Sequence, residues 1–212
     1  MLNMVKVQVV LNGLTPIMFD KWVSQDETPV EQKIYLDPRD GKTVCLPSSS
    51  IEGFLASKDS HSCLRMFVNS KEWKTLSPVI RGCISVQPAY IPFQNGKEHE
   101  ESNVKLEVAE DLNKSPFYID TRMARPNPKV RVNVSRPVLD LPWSLKFNIS
   151  IYENEYFSIS KAEDWFNRGG IFVGLCAYRP TFGSFEVVEW KKVKEIGTVQ
   201  TLEKDTNPVT ME

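Results

Sequence analysis

The sequence predicts an α+β fold, a ferredoxin-like (RRM-like) antiparallel sheet with two helices on one face and an inserted β-hairpin. Three observations carry this. Apolar residues recur at every second position in Val5–Leu11 and again in Trp143–Ile151, the period of half-buried strands. Two capped, helix-period stretches begin near Ser49 and Ser160, each with a glutamate three residues on. Without its middle insertion the chain reads strand, helix, strand, strand, helix, strand, an order in which two helices cover one face of a sheet.

The first strand ends at Asn12-Gly13. Leu14–Phe19 follows as an apolar extension, and Pro16 limits it to an edge because proline cannot donate to a ladder. Residues 20–33 read as irregular. Ile34–Leu36 and Thr43–Leu46 flank Asp37-Pro38-Arg39-Asp40-Gly41, a strong turn signal, so a small hairpin is expected there. It feeds the corner Leu46-Pro47-Ser48-Ser49-Ser50. Ser49 and Glu52 form a capping box, and Ile51, Phe54 and Leu55 mark the buried face of the helix. A second helical piece runs from Cys63 to Asn69, and Val79–Gln87 reads as a strand.

An insertion is expected at about 93–140. Residues 97–111 carry six acidic residues against two lysines, whereas 114–136 carry six Lys or Arg against one Asp. Val130–Val134 alternates as a strand. After Trp143–Ile151 comes the second helix, with Ala162, Trp165 and Phe166 inward and Gly169-Gly170 as its stop. A glycine-bearing loop, Gly174–Ser184, leads to a last strand at Phe185–Lys191. One domain is therefore expected over 1–197, with a flexible tail at 198–212. Trp143, Trp165 and Trp190 sit at inward positions, and Trp22 is the better candidate for a contact surface.

Composition narrows the function. The chain has 212 residues, 41% hydrophobic and 25% charged, with a net charge of -1. That gives a globular core but no whole-molecule basic field, so any nucleic-acid contact rests on local charge. The four cysteines form no C-x-x-C pair, and the two histidines argue against a multi-histidine metal site. No cofactor or metal is expected. The N-terminus lacks the apolar core of a signal peptide, and no run approaches the roughly 20 apolar residues of a membrane span. A cytoplasmic protein with no membrane partner is the expectation.

Two corners carry candidate chemistry. Ser48, Ser49 and Ser50 present hydroxyls and helix-start N–H groups, which suit a phosphate. Arg122, Arg125, Lys129, Arg131 and Arg136 supply salt-sensitive backbone contacts. The same arginines also fit a solvated strand face paired with the acidic loop. Arg179, between Gly174 and Gly183, either reaches a phosphate or base or bonds loop carbonyls.

The corner Leu46–Leu55 resembles the helix start of the RAMP superfamily of CRISPR-associated proteins, Pro-x-Ser-Ser-hydrophobic-Lys-Gly-x-hydrophobic-Arg. Gly174–Phe185 is similar to that superfamily's C-terminal glycine-rich loop. Glu52 and Ala56 depart from the pattern, standing where a lysine and an arginine are usual. Such departures suit a diverged or phage-encoded relative. The resemblance implies a non-catalytic backbone subunit that binds single-stranded guide RNA and oligomerises along it in a CRISPR-type effector complex. Its partners would be that RNA, copies of itself and other effector subunits, with residues 93–140 as the inserted hairpin. Two rivals stand beside it. One is a RAMP-type endoribonuclease using His61 as general acid or base. The other is a nucleic-acid-free interaction protein that joins or blocks such a complex.

Overall fold

Strand β1 (Met4–Gly13) buries Val7, Val9 and Leu11 on one side and keeps Lys6 and Gln8 on the other. In a computed structural model of the chain, residues 4–21, 29–58, 61–69, 71–96, 104–127 and 130–193 are described. The expected tail at 198–212, Trp22, His99 and Lys129 lie outside them, as does the side chain of Arg125.

The main sheet is antiparallel in every pairing. Its centre is the long pair of β1 with β9 (Trp143–Tyr152). On the other edge of β1 lies β10 (Phe185–Val193). The far edge of β9 is shared by two short strands. β4 (Ile84–Gln87) takes residues 148–151, and β5 (Tyr90–Asn95) takes residues 143–145. β3 (Cys45–Pro47) and β6 (Val104–Lys105) extend the sheet along β5. A second, three-stranded sheet runs in the order β2 (Ile17–Met18), β8 (Val130–Leu139), β7 (Phe117–Asn127). The chain is thus α+β with antiparallel sheets and few helices. β2 is an edge, as Pro16 requires.

Helices α1 (Ser48–Ala56) and α4 (Ile159–Phe172) pack on the main sheet and on each other, with α1 against β4 and α4 against β10. Phe54 and Phe166 are the seam, with ring centroids 5.4 Å apart. Phe166 also meets Phe147 of β9 and Trp190 of β10. Trp143 is buried, and its Nε1 donates to Thr15 O at 2.9 Å. Trp165 is buried too, so the expected inward tryptophans do line the core.

Several local expectations are corrected. Residues 79–82 are not strand. They end α3 (Trp73–Gly82), whose inward residues Trp73, Leu76 and Ile80 follow helical spacing, and the strand begins only at Ile84. Ser49 and Glu52 form no capping box, because α1 starts two residues earlier than a Ser49 cap requires, at Ser48 behind Pro47, with no side-chain cap. The cap of α4 is Ser158, which accepts from Lys161 N, and Ser160 is already helical. The piece at Cys63 shortens to α2 (Cys63–Phe67), capped by Ser62. The hairpin about Asp37–Gly41 reduces to a single Leu36–Val44 bridge, since the next residues pair with β5 instead.

Gly169 and Gly170 do not stop α4 either. They lie inside it, buried at close contacts. A Cβ on Gly169 would collide with Cys63 Sγ and the Phe54 ring, and one on Gly170 with the Phe185 carbonyl. The actual exit is Gly174, at φ +71°. Gly53 is the contrast, since an added Cβ there meets no atom within 4 Å. Gly53→Ala is therefore expected to raise stability by roughly 0.5–1 kcal/mol in urea unfolding, the helical cost of glycine relative to alanine.

Candidate nucleic-acid interface

β3 delivers the chain to Ser48, whose N–H is taken by Ala89 O at 2.8 Å. That bond fixes the start of α1 beside the sheet. Ser49 points to solvent, while Ser48 and Ser50 are half-buried. Ser50 lines a cleft of about 280 Å³ with Asp20, Tyr35, Cys176 and Ala177. The serine corner and the loop from Gly174 to Ser184 therefore share one wall, although they are far apart in sequence.

Backbone bonds hold that loop. Ala177 N donates to Met18 O, Leu175 N to Gly183 O, and Gly183 N to Pro16 O. Gly174 and Gly183 take left-handed φ, and so do Cys176 and Tyr178. Two consequences follow. Tyr178 stands out from the loop, 38% exposed. Cys176 turns its sulfur into surroundings that push the thiol up to about 12, so it is no thiolate nucleophile at neutral pH.

The hairpin β7–β8 brings its arginines to the same loop. Asp120 and Arg136 are cross-strand neighbours. Arg136 Nε donates to Asp20 Oδ2 at 2.7 Å, and its guanidinium lies 5.2 Å from the Tyr178 ring centre. Arg122 binds both oxygens of Asp120, at 2.7 and 3.1 Å, and lies over Tyr178 and Phe182. The carboxylates opposite these arginines are thus Asp120 and Asp20, not residues of the acidic 104–111 segment. Arg131 is exposed on β8, with no carboxylate partner among the described residues. Arg179 is half-buried. Its Nη1 donates to Gly174 O at 3.4 Å, and burial pulls its pKa below the ordinary arginine value.

No family model matches the chain, and no curated protein matches it. Solved structures do. One is a chain of the Type III-B Cmr-beta complex, solved by cryo-EM bound to cognate target RNA. It has a TM-score of 0.55 and 16% identity, and the alignment covers 90% of the present chain and 61% of that one. The present chain therefore spans about three fifths of that protein's length. The likeness is one of fold.

Four residues at the site carried no signal in the sequence. Asp20 and Tyr35 line the cleft. Lys21 sits 5.9 Å from the centre of the Tyr35 ring, and Lys33 Nζ donates to Ser135 O on β8 at 2.7 Å. Counting these with Arg122, Arg131 and Arg136, five cations gather around cleft and hairpin against Asp20 and Asp120. Tyr178 was legible in principle, as an aromatic next to the arginine of the loop. His61 lines a different depression, with Ser62, Arg65 and Met66. Among the described residues no helix is long and apolar enough to cross a membrane.

Proposed function

We propose that the chain is a non-catalytic RNA-binding subunit of the RAMP kind. It would hold the backbone of single-stranded guide RNA along the cationic rim and assemble along it with copies of itself and other effector subunits. The observation that carries this reading is the shared lining of the cleft, where Ser50 and the Cys176–Ala177 turn meet Asp20, which Arg136 of the hairpin holds at 2.7 Å. The strand order adds support. β10, β1, β9 and β4 lie side by side, which we read as the ferredoxin-like order of fourth, first, third and second strand. A fold shared with a subunit of an RNA-bound effector complex agrees with it.

Backbone binding of this kind is electrostatic and therefore salt-dependent. For a single strand the logarithm of affinity falls with the logarithm of salt at a slope of about 0.7 per neutralised phosphate. Arg131→Gln and Lys21→Gln remove exposed charges and are expected to leave the melting temperature in place. Each is expected to lower that slope by about 0.7 in fluorescence-anisotropy titrations with a labelled oligouridylate. Absence of RNA binding at low salt would instead favour the nucleic-acid-free interaction protein. RNA cleavage that disappears in His61→Ala would favour the nuclease.

A further inference from the structure

We propose that the Asp20–Ser50 cleft takes the ribose of a bound strand and reads its 2′-hydroxyl, so that the protein selects RNA over single-stranded DNA. This rests on the RNA-binding reading above and specifies which part of the nucleotide enters the cleft.

The cleft wall argues against a phosphate inside it. Asp20 contributes a carboxylate, and only its Oδ2 is engaged by Arg136. Its other oxygen accepts from no described residue, and because Asp20 lines the cleft a phosphate seated there would meet like charge. A carboxylate there calls for a hydrogen-bond donor. Among the described lining residues the other hydroxyls are those of Tyr35 and Ser50, each able to donate or accept. Burial raises the Tyr35 phenol above its ordinary value, so it keeps its proton at neutral pH. One acceptor-only group beside two amphoteric hydroxyls complements a 2′-OH, which donates and accepts at once.

Size points the same way. A cleft of about 280 Å³ lies at the lower edge of the roughly 300–1,000 Å³ of small-ligand pockets. It suits one sugar of a polymer whose phosphates stay outside. The cations are arranged for that, with Lys21 over Tyr35 and Arg136 behind Asp20. A deoxyribose would set a methylene against the carboxylate, which then loses water without gaining a partner.

The test compares one labelled oligouridylate with the same sequence as 2′-deoxy and as 2′-fluoro strands, at a single salt concentration. The 2′-fluoro strand keeps an RNA-like sugar but has no donor. The expected result is RNA binding at least about tenfold tighter than either, the scale of one hydrogen bond to a charged group. Asp20→Ala is expected to bring the RNA-to-DNA ratio toward one. That variant also strips Arg136 of its partner, so Ser50→Ala and Tyr35→Phe serve as second and third variants, each lowering the ratio. Equal, salt-sensitive binding of RNA and DNA would sink the inference while leaving the backbone reading standing. So would 2′-fluoro binding as tight as RNA, or a ratio that survives all three variants. No binding of any strand at low salt would remove both.

Discussion

Gly183→Ala is expected to cost about 3 kcal/mol or more in urea unfolding, a size reserved for strain or collision at a special backbone position. Gly183 sits at φ +72°, where an added Cβ would run into the Leu175 carbonyl oxygen and come within 2.9 Å of its carbon. Both obstacles are backbone, so no side chain can swing aside. The same residue pair closes the loop, through Leu175 N to Gly183 O at 2.9 Å, and Gly183 N ties it to Pro16 O at 2.8 Å. Relieving the collision means opening those bonds and moving Cys176 and Ala177 off the cleft. RNA affinity should therefore drop at least about tenfold even where the variant is still folded. Gly41 is the control, with φ +67° but no atom within 4 Å of an added Cβ. Gly41→Ala should cost only the left-handed penalty, roughly 1–2 kcal/mol. Equal losses at the two positions would show that the collision at Leu175 is not present in solution.

The second large effect is expected at Arg136. Its side chain is 11% exposed and holds Asp20 at 2.7 Å, and its Nη1 is buried without a partner among the described residues. Arg136→Glu replaces an ion pair with two facing carboxylates. The loss should be about 3 kcal/mol, at the low end for breaking a buried pair because Asp20 itself is 37% exposed. Asp20→Ala in the same protein should recover part of it, since the repulsion has then lost one member. Arg131→Glu, five residues away on the same strand, should stay within about 0.5 kcal/mol of the parent. Chemical denaturation of the four proteins measures all of this. An Arg136→Glu protein as stable as the parent would mean that the Asp20 contact contributes nothing.

Arg131 and Arg136 look alike in the sequence, as arginines of one alternating basic stretch. Only the fold separates an exposed charge from a buried one. What the sequence does report is one-sided burial. β1, β9 and the inward face of α4 were legible because their apolar residues repeat with the period of the element. Ile80 reads as strand because Ile80, Cys83, Ile84 and Val86 fall close together in sequence, although Arg81-Gly82 between them marks a helix-to-strand change. Gly169 and Gly170 were misread because glycine marks a helix end and a close contact with the same letter. The two corners of the site were legible as local motifs. Asp20, Lys21, Lys33 and Tyr35 were not, because they gain meaning from partners on other elements. Asp20 meets an arginine 116 positions away, and no local pattern encodes that.

β9 has a consequence for biosynthesis. It is the strand that joins β1 on one side to β4 and β5 on the other. During translation β1, β4 and β5 emerge before β9, the strand that pairs with all three. Loop-closure cost and exposed strand edges both fall on that interval. The nascent chain is then most exposed to aggregation or capture by chaperones, and release from that state begins when Trp143 and the residues after it leave the ribosome.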